Sequence, residues 1–142
     1  MVQGDSQQDN LKRIKVHAAW SEDAEKEQLW KEYVEGKKFK QNEFGASASM
    51  FYNWRDEKVI RKYAERFFDE LENVFENQHR DYAGTFFWRF LPVVMGEKKH
   101  VERMEEILKR THEDRTHFRN LLKDGIADIE SIIRMRDSLT KK

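Results

Sequence analysis

The sequence predicts an all-α protein in which antiparallel helix pairs stack as an α-solenoid. Apolar residues recur every three or four positions along most of the chain, which is the spacing of one buried helix face. Pro occurs once and Gly six times in 142 residues, while charged residues make up 38% of the chain. So few helix breakers among so many charges favour long helices with solvated outer faces over a loop-rich or β-rich fold.

The first predicted pair occupies about residues 21–54. Ser21 is expected to cap its first helix, because a serine hydroxyl can accept from the free amides of a first turn. Gly36 is expected to end that helix, since glycine readily adopts the left-handed conformation of a C-terminus. A polar turn then leads into a short second helix ending near Trp54.

The second pair, about residues 56–91, has the clearest periodicity. Asp56 is the expected cap, the helix ends near residues 77–79, and Pro92 prevents its partner from continuing. The apolar stripe of the first of these helices consists of Val59, Ile60, Tyr63, Ala64, Phe67, Phe68, Leu71, Val74 and Phe75.

The third pair covers about residues 97–139 and ends in a long helix. The three pairs therefore begin about 35 to 41 residues apart, a period typical of HEAT or armadillo repeats. Since one pair cannot bury its apolar stripe alone, stacking is expected to stabilise the chain. Residues 11–142 are predicted to form a single helical repeat domain, whereas the polar residues 1–10 are expected to be disordered or a remnant of cloning.

Charge and cysteine content exclude several classes of function. Lys and Arg number 27 and so do Asp and Glu, and this zero net charge argues against nucleic acid as a partner. No stretch is long and apolar enough for a membrane span. The absence of Cys excludes disulfides and thiolate metal sites, and it leans towards an intracellular location.

No catalytic motif is found. His112 and His117 flank a segment similar to the HExxH zinc motif, but they are five residues apart instead of four. On one helix they would point about 140° apart, too far to share an ion. Nucleophile elbows and Gly-rich phosphate loops are also missing. We therefore expect no catalytic residue, no metal ligand and no cofactor in this chain.

The aromatic cluster around Trp88 allows two interpretations. Phe86, Phe87 and Phe90 fit the buried stripe of one helix, whereas Trp88 lies off it. Core or inter-repeat packing explains most of these rings, and an exposed face for a neighbouring domain is the alternative.

The stretch Tyr63–Pro92 resembles the C-terminal region of the zinc aminopeptidase N family. The shared features are an aromatic pair, an apolar pair seven residues later, an Arg, an Ala and a final apolar residue before Pro, found here as Phe67-Phe68, Val74-Phe75, Arg80, Ala83 and Leu91-Pro92. Weaker likeness extends from about Leu11 to Leu139, but the loop at 93–96 and residues 47–50 have no clear equivalent.

The resemblance implies a non-catalytic helical domain that covers the active-site chamber of a zinc-dependent aminopeptidase and helps to control peptide access. Its partners would be the upstream domains of that enzyme and the peptide substrate, and the zinc would be bound elsewhere in the parent enzyme. Arg80, Arg134 and Arg136 are candidate contacts for a peptide carboxylate, or else members of structural ion pairs. The alternative is a stand-alone helical-repeat adaptor that binds a partner peptide or helix.

Overall fold

The computed structural model describes residues 3–52 and 56–140, with side chains from Ser6 onwards. These ranges contain seven helices and no strand, and 81% of the described residues are helical. The helices are α1 (Gln3–Ala19), α2 (Asp23–Glu35), α3 (Gln41–Ser49), α4 (Glu57–Asn77), α5 (Arg80–Phe90), α6 (Lys98–Arg110) and α7 (Thr116–Thr140). The predicted all-α class is confirmed, and the helices pack in a manner consistent with a solenoid-like bundle.

Several predicted helix ends agree with the structure. Gly36 ends α2 in the left-handed conformation, with φ of 69°. The Asp56 side chain accepts from the amide of Val59 at 3.3 Å and so caps α4. The break after α4 also lies where the sequence places it, because α4 ends at Asn77 and α5 begins at Arg80.

The chain start and the beginning of α2 differ from the sequence prediction. Helix α1 already begins at Gln3, so most of residues 1–10 belong to a helix that the polar composition had concealed. Glu22, not Ser21, occupies the N-cap position of α2. The Ser21 hydroxyl instead donates to the carbonyl of Ala18 at 2.7 Å and closes the end of α1. The predicted helix end near Trp54 lies outside the described residues.

The chain has two compact units, divided between Phe90 and Leu91, and a single repeat domain over residues 11–142 stays a prediction. The first unit contains α1 to α5, and the second contains α6 and α7.

The five helices of the first unit lie in two layers. The first layer consists of α2 and α4, which pack beside each other. The second layer consists of α1, α3 and α5, in which α3 packs beside both α1 and α5. Helices α4 and α5 also pack against each other, and side chains join α2 to α3. The pairs α2–α3 and α4–α5 are therefore stacked, and α1 continues the second layer beyond α3.

Trp30 of α2 lies at the centre of this unit. Its ring is 5.3 Å from that of Tyr63 on α4, and 5.5 and 5.0 Å from those of Phe86 and Phe90 on α5. Phe51, just after α3, lies 6.0 Å away. One indole thus contacts residues from three other parts of the unit, and aromatic pairs at such separations add to the stabilisation from burial itself.

The aromatic core also satisfies its own polar atoms. The Tyr82 hydroxyl donates to the carbonyl of Tyr33 at 2.5 Å, and the Tyr33 hydroxyl is 2.5 Å from that of Ser47. Tyr52 donates to the carbonyl of Phe90 at 3.0 Å. Burial raises the pKa of Tyr33, Tyr52 and Tyr82, so these phenols stay neutral and act as hydrogen-bond donors.

The second unit is a helix pair of unequal lengths. Its buried residues are His100, Val101, Met104 and Ile107 on α6, and Phe118, Leu122, Gly125 and Ile129 on α7. Arg119 donates to the carbonyls of Leu108 and Thr111, each at 2.9 Å, and thereby satisfies the C-terminal end of α6.

We expect Trp30→Ala to lower the free energy of unfolding by about 3–5 kcal/mol, because it leaves a large cavity amid the aromatic rings. Trp88→Ala is the matched control, since 40% of that side chain is exposed. It should cost less than about 1.5 kcal/mol. Urea unfolding followed by circular dichroism measures both, and equal losses would contradict the central role of Trp30.

Gly36→Ala should destabilise the protein by about 1–2 kcal/mol, because a Cβ is unfavourable at positive φ. A Cβ there would also overlap the Gln78 side chain, which donates to the carbonyl of Glu35 at 2.8 Å. Gly45→Ala is the control, because nothing lies within 4 Å of a Cβ at that position inside α3. It should instead stabilise the helix by about 0.5–1 kcal/mol. Thermal unfolding should therefore give a lower melting temperature for Gly36→Ala and a higher one for Gly45→Ala than for the unsubstituted protein.

Candidate functional site

The histidines and carboxylates of the described ranges are dispersed. No group of three or more such side chains within those ranges could hold a metal ion. His112 lies in the loop before α7, where its ring accepts from the amide of Asp114 at 3.1 Å, and His117 lies in the first turn of α7. The segment is therefore a turn followed by a helix start, as its spacing predicts. None of the helices in the described part of the chain is long and apolar enough to cross a membrane.

The three arginines predicted to contact a peptide lie in different environments. Arg80 is exposed at the start of α5 in the first unit. Arg134 and Arg136 lie on α7 in the second unit, two residues apart, so they point about 200° away from each other. Arg136 donates to the carbonyl of Gly96. Arg134 lines a groove of about 360 Å³ whose walls include Glu102, Glu105 and Glu130.

A groove in the first unit combines an apolar floor with a charged rim. It has a volume of about 330 Å³ and lies between α1 and α2. We call it the α1–α2 groove, and its lining residues are Arg13, Ile14, His17, Leu29, Glu32, Lys38, Phe39 and Ser47.

The floor of the α1–α2 groove is held by the core beneath it. Leu29 is buried, and Ile14 and Phe39 are half-buried. The Phe39 ring packs 5.7 Å from that of Tyr33. Ser47 contributes a hydroxyl, but this group is already hydrogen-bonded to Tyr33. The floor therefore favours an apolar ligand surface.

The rim of the groove carries more positive than negative charge. Lys38 and Glu32 pair at 3.1 Å and largely neutralise each other. Arg13 remains on the α1 side, next to His17, which lies 3.7 Å from Glu25. An acidic group on a ligand would be favoured beside Arg13.

The position of the groove follows from the layer order. In the first unit, each of α3 and α5 directly follows a first-layer helix in the sequence: α3 follows α2, and α5 follows α4. Among the described helices, no first-layer helix precedes α1. A helix paired with α1 and packed beside α2 would occupy the α1–α2 groove.

An ion cluster joins the two first-layer helices. Glu27 of α2 lies 2.7 Å from the Lys62 ammonium and accepts a hydrogen bond from Arg66, and both cations belong to α4. Arg66 lies 5.3 Å from the ring centre of Tyr63. Hydrogen bonds from Arg66 and then Lys62 lower the pKa of Glu27 to about 2. Glu27 therefore remains ionised and links α2 to α4 throughout the physiological pH range.

Lys26 is a buried cation that the sequence did not reveal. Only 7% of the residue is exposed, and its ammonium donates to the carbonyl of Phe51 at 2.8 Å. It also lies 4.4 Å from the centre of the Phe51 ring. Desolvation lowers the pKa of Lys26, while the charges of Asp56 and Asp23 oppose that shift. In the sequence Lys26 lies among acidic residues and is indistinguishable from a surface lysine.

The α1–α2 groove was likewise not predicted as a site. The spacing of Leu11, Ile14 and Ala18 indicates the end of a helix, but it does not show which residues face α2. Phe39 falls within a stretch interpreted as a polar turn. The only available signal was an aromatic residue in an otherwise polar segment, Lys37 to Asn42.

Comparison with known proteins identifies no relative: no family model, no curated protein and no solved structure matches this chain.

Glu27→Gln should reduce stability at neutral pH and have progressively less effect as the pH falls. The folded-state pKa of Glu27, about 2, lies below the usual 4.5, so its stabilisation is present above pH 4.5 and is lost towards pH 2. Urea midpoints of both proteins should therefore converge between pH 4.5 and 2. Glu76→Gln, exposed on the same α4, is the control and should stay within about 0.5 kcal/mol of the unsubstituted protein. A constant deficit of Glu27→Gln down to pH 2 would rule out this assignment.

Proposed function

We propose that this chain is the non-catalytic C-terminal helical domain of a zinc-dependent aminopeptidase, where it covers the active-site chamber and helps to control peptide access. The observation that carries the proposal is the position of α1, which packs beside α3 in the second layer and has no first-layer partner among the described helices. The outer repeats of a solenoid need polar faces unless another repeat covers them. Here Trp20, the residue that follows α1, is 81% exposed, which fits a stack that continues into further helices.

The resemblance in Tyr63–Pro92 supports the same proposal. The matching positions Phe67, Phe68 and Val74 are fully buried, and Leu91 is almost so. Such positions preserve helix packing and carry no chemistry, as expected of a domain that shapes a chamber. The catalytic zinc and its ligands would belong to another part of the parent enzyme.

Of the three candidate peptide contacts, Arg80 has the most favourable surroundings for a carboxylate. It is exposed at the N-terminal end of α5, where the helix dipole adds positive potential. Arg134 is exposed too, but Glu102, Glu105 and Glu130 line the same groove and would repel a carboxylate. Arg136 is engaged with the Gly96 carbonyl. We assign the carboxylate of a peptide substrate to Arg80 first.

A stand-alone adaptor is the second candidate, and the α1–α2 groove favours it. An apolar floor between two helices is the kind of surface that binds a partner helix. The two functions differ in the source of that helix: the same polypeptide in an enzyme, another protein in an adaptor.

The coding sequence upstream of this chain separates the two. The aminopeptidase proposal requires an open frame that continues upstream and encodes both the GxMEN and HExxH motifs. A stop codon immediately before a genuine start at Met1 would overturn it and leave the adaptor.

In the intact enzyme, Arg80→Ala should raise KM about tenfold for a peptide with a free C-terminus, since one charge-assisted contact is lost. The same peptide with an amidated C-terminus should be unaffected. Arg89→Ala, also exposed on α5, is the control and should leave both KM values unchanged. Equal effects of Arg80→Ala on the acid and the amide would contradict a carboxylate contact.

A further inference from the structure

We infer that the α1–α2 groove binds an amphipathic helix whose apolar stripe enters the groove and whose acidic flank faces Arg13. The inference rests on the proposed function, because it assumes that the stack continues past α1. It goes further by naming the surface, the orientation of the bound helix and the charge pattern that the helix must carry.

The first argument is continuity with an interface already formed. In the first layer, α2 packs beside α4 through one flank, where Glu27 pairs with Lys62 and Arg66. Leu29 and Glu32 of α2 line the α1–α2 groove instead. A helix in this groove would pack beside α2 at the usual separation of about 8–10 Å and pair with α1 as α4 pairs with α5.

The second argument is the shape and polarity of the groove. Ile14 of α1 and Leu29 of α2 supply apolar contacts from both sides, with Phe39 near them. Since the one hydroxyl in the lining already has a partner, an apolar stripe would leave no buried polar group unsatisfied there. Side chains at i, i+3 or i+4 and i+7 of a bound helix form such a stripe.

The third argument is charge. Because Lys38 is paired with Glu32, the net positive charge among the lining residues is that of Arg13 on the α1 side. Acidic residues flanking the stripe would be attracted to Arg13 on the α1 side. On the opposite side they would meet little repulsion, because Lys38 already neutralises Glu32 there.

The test uses a stapled 15-residue helical peptide with Leu at i, i+3, i+7 and i+10 and Glu on both flanks, titrated into the full chain by calorimetry at low salt. We expect saturable 1:1 binding. A peptide with Lys in place of Glu should bind at least fivefold more weakly, and Arg13→Glu should reverse that preference. The preference should shrink at high salt, where exposed charges are screened.

Ile14→Asp should weaken binding of the Glu peptide at least tenfold. Val16→Asp is the matched control on the same helix, because residue 16 points about 200° away from residue 14 and should change binding less than twofold. Circular dichroism verifies that both variants are folded, and Arg13→Glu, at an exposed position in the groove lining, tests the same surface without disturbing its apolar floor.

Absence of saturable binding, or equal binding by the Ile14 and Val16 variants, would overturn the inference. Neither result alters the outcome of reading the upstream coding sequence. The docking groove and the aminopeptidase assignment can therefore fail separately.

Discussion

The architecture of the first unit depends on the burial of two neighbouring aromatic sites of α2, Trp30 and Tyr33. Trp30 contacts the rings of α4 and α5, while Tyr33 lies 5.4 Å from Phe44 on α3 and 5.4 Å from Phe90 on α5. Because a single helix presents both residues to the same core, α2 holds the two layers together. The low apolar content of the chain is sufficient for this purpose because each ring buries a large area.

Polar interactions position the helices around that core. The Tyr82 hydroxyl and the Gln78 amide both donate to carbonyls near the C-terminal end of α2, and Lys26 of α2 donates to the carbonyl of Phe51 after α3. These bonds satisfy backbone groups at helix ends that would otherwise lack partners. They also fix α2 relative to its neighbours, so the α1–α2 groove has a defined floor and rim.

The α1–α2 groove is the surface of this scaffold that is open to a further segment. Ile14 of α1, Leu29 of α2 and Phe39 line it, together with charged side chains at its rim. The proposed adaptor uses this groove to bind a segment of another protein, whereas the proposed aminopeptidase domain also faces a peptide substrate.

Most of the helices could be predicted from local sequence signals, because periodicity, Gly36, Asp56 and Pro92 act within a few residues of the backbone they control. Two local predictions were wrong. The Ser21 hydroxyl donates to the preceding Ala18 carbonyl instead of capping α2, and α1 extends through polar residues near the start of the chain. The repeat length predicted the stacked pairs of the first unit, while the HEAT or armadillo type stays a prediction. Only the tertiary structure decided that Lys26 is buried, that Glu27 joins α2 to α4, and that Ile14, Leu29 and Phe39 meet in one groove. These contacts join residues up to 39 positions apart, and their formation depends on how helices dock, which the spacing along a single helix does not encode.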